Sequence, residues 1–185
     1  MIIIIEGIDR VGKTTIAKEI SDKFNIPIYK QERIGGNKVV DDNKRDYNKS
    51  DITKQYCNSC KNYLRAKTLV DFWNWQGFNQ HIIMDRFHWT EAVYSLIDRH
   101  NMTQYHSMRL LEQYMLQQKD NYIVIYVKPV DIKYSSREHG SNLERHEKEF
   151  DTICRETKLN KMICTIYSKD MVIGRLSKIL NKGDA

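Results

Sequence analysis

The chain has 185 residues, which is enough for one domain with a sizeable hydrophobic core. Its composition, 41% hydrophobic and 29% charged with 2 prolines, is typical of a soluble globular domain and excludes long flexible linkers. The apolar run Met1–Ile5 is too short to span a bilayer and lacks the flanks of a secretory signal. We therefore expect a cytoplasmic protein with no membrane partner.

The charge pattern suggests small anionic ligands. The formal net charge is +6, but the Lys and Arg residues are spread along the chain and form no basic block, so no nucleic-acid partner is expected. Cys57 and Cys60 have CxxC spacing, but no second pair follows, and we interpret the four cysteines as reduced thiols.

Short apolar runs alternate with longer segments of helical periodicity. The predicted strands are Ile2–Ile5, Pro27–Tyr29, Ile82–Met84, Tyr122–Val127 and Met162–Tyr167. The predicted helices are Thr14–Phe24, Asp51–Gln76, Thr90–Leu96, Met102–Gln118, a charged segment within Ile132–Lys158, and Met171–Leu180.

This alternation predicts an α/β fold, with one three-layer α/β/α domain over residues 1–185 and a five-stranded parallel sheet covered on both faces. Right-handed crossovers bring the carboxyl ends of the strands to one edge, where ligands bind.

The first strand–helix junction carries the strongest motif. Residues Gly7–Thr14 match G-x-x-x-x-G-K-[ST], the P-loop. The glycines allow the backbone to surround phosphate oxygens, and the helix N-terminus adds partial positive charge. Lys13 bridges phosphates and Thr14 ligates Mg²⁺ in such loops. The residues predicted to bind ATP are Gly7, Gly12, Lys13, Thr14 and Thr15.

The residues inside and opposite this loop narrow the chemistry. Asp9 and Arg10 place an acceptor and a guanidinium beside the phosphoryl group, where the arginine can neutralise developing charge. Asp85 ends an apolar strand, a suitable place to hold Mg²⁺ together with Thr14. Arg86 follows it and can bind a phosphate with two hydrogen bonds.

The segment from Glu6 to Thr15 resembles the P-loop of thymidylate kinases, and Asp85-Arg86-Phe87 is similar to that family's Asp-Arg-Tyr/His/Phe motif. The resemblance implies the P-loop NTPase fold with a helical lid, Mg²⁺, transfer of the ATP γ-phosphoryl group to dTMP or another deoxynucleoside monophosphate, and a homodimer. It also implies that Asp9 contacts the sugar 3′-hydroxyl, Arg10 assists transfer, Arg86 binds the acceptor phosphate, and Tyr94 packs against the deoxyribose.

Three further residues are assigned by the same resemblance. Glu32 and Arg33 correspond to the family's loop that binds the acceptor monophosphate, and Arg65, 20 residues before Asp85, to its base-reading arginine. Two positions depart from the family pattern: Lys61 stands where a phenylalanine commonly stacks on thymine, and Ser95 where a glutamine is often found. These departures leave the identity of the base open.

The segment 134–155 is similar to the lid and following helix of bacterial-type thymidylate kinases, and its Arg137 is a candidate catalytic residue. Whether Arg10 or a lid arginine carries catalysis stays open. His139 and His146 are expected at the surface. The alternatives are a deoxynucleoside kinase, with Glu32 as the base, and a regulatory module that hydrolyses nucleotide slowly.

Overall fold

The computed structural model describes residues 1–30, 52–75, 81–130 and 142–181. Five strands form one parallel sheet in the order β2-β3-β1-β4-β5. The strands are β1 Ile2–Glu6, β2 Ile28–Lys30, β3 Ile82–Asp85, β4 Tyr122–Val127 and β5 Asn160–Cys164.

The burial of each strand follows its place in the sheet. Every residue of β1 and β4 is buried, because these central strands are covered on both faces. Strand β5 lies at the edge, where Met162 and Cys164 are buried and their neighbours along the strand are exposed. The predicted three-layer α/β/α fold with a five-stranded parallel sheet is confirmed.

Six α-helices and two short 3₁₀ turns connect and cover the strands in the described part of the chain. They are α1 Lys13–Phe24, α2 Ile52–Trp75, α3 His88–Ile97, α4 Met102–Met115, α5 Leu143–Glu156, α6 Lys169–Leu180, and the turns Leu116–Asn121 and Ile166–Ser168. Helix α4 packs against both α2 and α3, and α5 packs against α3. None of the described helices combines the length and the apolar character needed to cross a membrane.

One predicted boundary needs correction, and one predicted segment is described only in part. The last strand was expected to reach Tyr167, but β5 ends at Cys164 and Ile166–Ser168 form a 3₁₀ turn. Thr165 and Ser168 form a reciprocal capping box at this turn, so local side-chain hydrogen bonds stop the strand. The segment 134–155 is divided: residues 134–141 lie outside the described part, and the remainder lies within α5, which buries Leu143, Phe150 and Ile153.

The parallel register brings the carboxyl ends of four strands to one edge. Ile5 is paired with Asp85, Glu6 with Tyr126, and Val127 with Cys164. The loops that leave these ends must therefore meet, although they are far apart in sequence.

Candidate active site

The phosphate loop has a backbone that only glycine permits at two points. Gly7 has φ +142°, and a Cβ there would lie 2.4 Å from the carbonyl oxygen of Val127. Gly12 has φ +91°, and its Cβ would lie 2.6 Å from the side chain of Ile166. Side chains are excluded at both points, so the loop can approach a ligand with its backbone alone.

Helix α1 begins at Lys13 without the usual means of neutralising a helix N-terminus. Gly12 occupies the N-cap position and makes no side-chain capping bond, and the first turn contains no acidic residue. The N–H groups and positive dipole end at this point are therefore suited to bind an anion.

Lys13 is almost fully buried, with 4% of its surface exposed. Its Nζ donates to the carbonyl oxygen of Gly7 at 2.8 Å and to that of Ile8, and lies 3.8 Å from the Asp9 carboxylate. Burial, and then the positive charge of Arg86, lowers the pKa of Lys13 to about 8, against the opposing effect of nearby carboxylates. An anionic ligand would stabilise the charged form of this lysine.

Thr14 and Asp85 form the second part of the site. The Thr14 hydroxyl donates to Asp85 Oδ2 at 2.9 Å, which joins the start of α1 to the end of β3. Asp85 is 9% exposed, and its Oδ1 is buried with no hydrogen-bond partner in the described part of the chain. A hydroxyl and an uncompensated carboxylate oxygen together fit the ligand preference of Mg²⁺.

This pair would bind a metal weakly without further ligands. No group of three or more His, Cys, Asp or Glu side chains in the described ranges is arranged to hold a metal ion. Mg²⁺ typically uses one or two protein ligands together with substrate phosphates and water, and the pair fits that mode.

Asp9 and Arg86 connect the phosphate loop to the end of β3. The Arg86 guanidinium lies 2.6 Å from Asp9 Oδ1, and the backbone N–H of Arg86 donates to the Ile5 carbonyl at 3.0 Å. The Arg86 side chain is 43% exposed, so it is accessible to a ligand from solvent. A second cation is thus held beside the phosphate loop.

Both arginines of this region have a left-handed backbone. Arg10 has φ 65° and Arg86 has φ 75°, in a region that non-glycine residues rarely adopt. Such a conformation costs about 1 kcal/mol or more and is often found where a side chain must point into a site. Arg10 is exposed in the loop, and its role in phosphoryl transfer stays a prediction.

Glu6 is a residue of this site that the sequence did not reveal. Its carboxylate is fully buried and accepts hydrogen bonds from the backbone N–H groups of Phe87, Trp89 and Thr90, and from the Thr90 hydroxyl. It therefore caps the N-terminus of α3 from the last position of β1. Burial raises the pKa of Glu6, against the opposing effects of His88 and of the bonds it accepts.

This capping has a clear effect on the site. Asp85 ends β3 and Arg86 directly precedes the first of the three capped N–H groups, so Glu6 helps to fix both residues relative to the phosphate loop that follows it. A carboxylate at the end of an otherwise apolar strand was the sequence signal for such a role.

Tyr94 lies near the ion pair and contacts α5. The charges of Asp9 and Arg86 both act on its hydroxyl, and burial, followed by Asp9, raises the pKa of Tyr94 well above its ordinary value. Its ring stacks on His146, with 4.7 Å between centroids and 26° between planes. The expectation that His146 lies at the surface is wrong, because its side chain is 1% exposed.

The physical reason is the helical period of α5. His146 lies three residues after Leu143 and four before Phe150, on the apolar face, although its sequence neighbours are charged. The spacing of the buried residues would have revealed this position.

The other predicted residues are less closely tied to the site. Thr15 is exposed in the first turn of α1, and Arg65 is exposed on α2, as is Lys61. Ser95 is buried, and its hydroxyl accepts a hydrogen bond from Arg99 at 3.3 Å. The hydroxyl is therefore engaged in a local contact. Glu32, Arg33, Arg137 and His139 lie outside the described residues.

Several solved structures share the fold of this chain. No protein-family model matches the chain, and no curated protein matches it. Among solved structures, YorR of Bacillus subtilis, crystallised with phosphorylated GDP, is similar with a TM-score of 0.64 and 18% identity, over 98% of this chain and 96% of that one. Deoxyadenosine kinase from M. mycoides with bound dATP has a TM-score of 0.59 and 18% identity, over 96% and 100% of the two chains.

Thymidylate kinase from Candida albicans is also similar, with a TM-score of 0.52 and 18% identity over 99% of this chain and 92% of that one. At this level of identity the likeness shows a shared fold. The chain thus has the same three-layer α/β/α fold as these three proteins.

Proposed function

We propose that the protein is an ATP-dependent nucleoside monophosphate kinase. It transfers the γ-phosphoryl group of ATP to the 5′-phosphate of a deoxynucleoside monophosphate, with dTMP as the first candidate to give dTDP. Mg²⁺ is the expected metal and the cytoplasm the expected location.

The ion pair between Asp9 and Arg86 is the observation that carries this proposal. It sets a guanidinium at the mouth of the phosphate loop, on the neighbouring strand, where a second phosphate group can bind opposite the first. The positive charge of Arg86 also lowers the pKa of Lys13, so the two cations repel each other without a ligand. Two phosphate groups, one from each nucleotide, would relieve this repulsion.

The roles of the residues follow from their positions. The P-loop amides and Lys13 hold the donor phosphates, and Thr14 with Asp85 would hold Mg²⁺, which supplies charge neutralisation on the phosphate oxygens. Arg10 and Arg137 are the proposed residues that stabilise charge during transfer. Transfer is in line and direct, because positioning and electrostatic stabilisation suffice without a covalent intermediate.

The acceptor is proposed to bind on the Arg86 side. Arg86 is proposed to bind its phosphate, Arg33 and Glu32 are assigned to the same group by the resemblance alone, and Asp9 is proposed to contact the sugar. Tyr94 forms the wall against the sugar, and Arg65 reads the base. Because the Ser95 hydroxyl is engaged with Arg99, we assign it no base-reading role, and Arg65 is the proposed base-reading residue.

A homodimer is part of the proposal. Leu64 on α2 and Leu110 on the neighbouring α4 expose 59% and 61% of their surfaces, and Phe72 exposes 43%. Apolar surface of this kind is suited to a contact with a second copy. Light scattering on the purified protein tests the dimer directly.

The kinase assay uses Mg·ATP with dTMP, dUMP, the other deoxynucleoside monophosphates, thymidine and deoxyadenosine, following ADP release and the phosphorylated product. We expect a diphosphate product from at least one monophosphate, and none from the Lys13→Ala variant. Product from a nucleoside alone would favour the deoxynucleoside kinase. ADP release without any acceptor would favour the regulatory module.

A further inference from the structure

His146 contacts Tyr94 of α3 and Asp98, the C-cap residue of that helix, and this arrangement has a consequence for the acceptor site. One face of its imidazole stacks on the Tyr94 ring at 4.7 Å. Its Nε2 lies 2.9 Å from the Asp98 carboxylate. Tyr94 and Asp98 are one helical turn apart, joined by the backbone bond from the Asp98 N–H to the Tyr94 carbonyl at 3.1 Å.

The hydrogen bond to Asp98 determines which tautomer the neutral imidazole of His146 adopts. A carboxylate only accepts, so Nε2–H must be the donor to Asp98. In the neutral ring Nδ1 then carries no proton, and this atom is buried with no hydrogen-bond partner in the described ranges. The ring is therefore held by its edge at Asp98 and by its face at Tyr94, and it cannot turn without losing one of them.

The Tyr94 ring is thus held by its stacking on the His146 imidazole. The charges of Asp9 and Arg86 act on the Tyr94 hydroxyl, while its ring stacks on His146 of α5. The imidazole is 1% exposed, so no solvent lies between the two rings on that side. Displacing the Tyr94 ring would require α5 to move or the Asp98 bond to break.

We propose that His146 is a positioning residue that determines sugar specificity through Tyr94; this rests on the proposed kinase function. The supported Tyr94 ring has no room to retreat from the sugar of the acceptor. A 2′-hydroxyl would place an additional oxygen atom against the Tyr94 ring. A ring that cannot move excludes this hydroxyl. A flexible tyrosine would accommodate ribose and deoxyribose more equally.

Variants at position 146 separate the two contacts. His146→Phe keeps an aromatic face for Tyr94 and loses the bond to Asp98, whereas His146→Gln can still donate to Asp98 and loses the aromatic face. His146→Ala loses both. Far-UV circular dichroism and thermal unfolding establish that each variant is folded, and the Phe and Gln variants keep the test decisive if the Ala variant is not.

The assay measures kcat/KM for the best deoxynucleoside monophosphate and for the ribonucleotide with the same base, at saturating Mg·ATP. We expect the wild-type protein to prefer the deoxynucleotide by about 100-fold, the scale on which a pocket rejects one added hydroxyl. His146→Ala should lower this ratio about tenfold, and His146→Gln should lower it more than His146→Phe. The KM for ATP should stay within about twofold, since the phosphate loop is untouched.

The outcomes separate the two proposals. If the wild-type protein phosphorylates a deoxynucleotide and the ratio is the same in all three variants, the role of His146 is overturned and the kinase function stands. If both kcat/KM values fall equally, His146 is merely structural and the inference is also overturned. If the wild-type protein phosphorylates no monophosphate, the kinase function itself fails.

Discussion

The Arg86 guanidinium lies 2.6 Å from the carboxylate of Asp9, although the two residues belong to different strand–helix junctions. Their ion pair joins the phosphate loop to the end of β3. It also brings the positive charge of Arg86 near Lys13, where it contributes to the lowered pKa of that lysine.

Replacing Arg86 should therefore affect the acceptor more than ATP. We expect Arg86→Ala to lower kcat/KM for the monophosphate by about a hundredfold or more, since a bidentate charge-assisted contact to its phosphate is lost. The Kd for ATP, measured by calorimetry, should change by less than about threefold. Arg175→Ala, at an exposed position of α6, is the matched control. Equal losses in both measurements would contradict a role on the acceptor side.

The affinity for ATP should depend on pH through Lys13. Its pKa is lowered to about 8 by burial and Arg86, and bound phosphates would raise it. The complex then holds more protons than the free protein above pH 8, so affinity falls as pH rises, by up to about tenfold per pH unit. Below pH 8 Lys13 is charged both in the free protein and in the ATP complex. It then contributes no pH dependence to the affinity for ATP. Calorimetry between pH 7.5 and 9.5 measures this, and Lys13→Arg, which stays charged, should flatten the profile.

Arg10 offers a test of which arginine carries catalysis. It is exposed at the tip of the loop with φ 65°, a position suited to contact the transferring group. We expect Arg10→Ala to lower kcat by about a thousandfold while the Kd for ATP stays within about threefold, as for an arginine that acts in the transition state. Single-turnover kinetics separates the two quantities. An unchanged kcat would transfer the role to Arg137.

The pairing of Thr14 with Asp85 predicts how the protein uses Mg²⁺. In Asp85→Asn the buried carboxylate oxygen, which has no hydrogen-bond partner among the described residues, is replaced by a neutral group, and this weakens the electrostatic attraction for the cation. The Mg²⁺ concentration needed to promote ATP binding should rise about tenfold. ATP binding in the absence of Mg²⁺ should not weaken. Titrating a fluorescent ATP analogue with Mg²⁺ measures both, and Asp22→Asn, exposed on α1, is the control.

Glu112 predicts a dependence of stability on pH. Burial alone would raise its pKa, but the hydrogen bond and charge of His88, the Thr157 hydroxyl and Arg109 outweigh that effect and lower the pKa to about 2. Because the folded pKa lies below the ordinary value of 4.5, the stabilisation is present above pH 4.5 and is lost as the pH falls toward about 2.

Glu112→Gln should thus lower the free energy of unfolding by about 3 kcal/mol at pH 7 and by less at pH 3. Urea unfolding at the two pH values measures the difference. An equal loss at both would mean that volume or hydrogen bonding, rather than charge, accounts for the effect. Glu144→Gln, exposed in the first turn of α5, is the control.

The sequence by itself determined the parts that depend on neighbouring residues. The phosphate loop was recognisable because its glycines, Lys13 and Thr14 act through consecutive backbone positions. The buried β-branched runs predicted β1 and β4. The long stretch of helical periodicity predicted α2 to within one residue at each end. Alternation of these elements is enough to imply a parallel sheet, because crossovers between parallel strands require helices.

Only the tertiary structure decided which distant groups meet. Glu6 caps the helix that begins more than eighty residues later, Asp9 pairs with Arg86, and His146 supports Tyr94 from another helix. These contacts depend on strand order and on which face of each helix is buried, and a polar residue can satisfy its hydrogen bonds in many ways. A charged neighbourhood therefore suggested a surface position for His146, whereas the packing of α5 on α3 buries it behind the tyrosine of the candidate acceptor site.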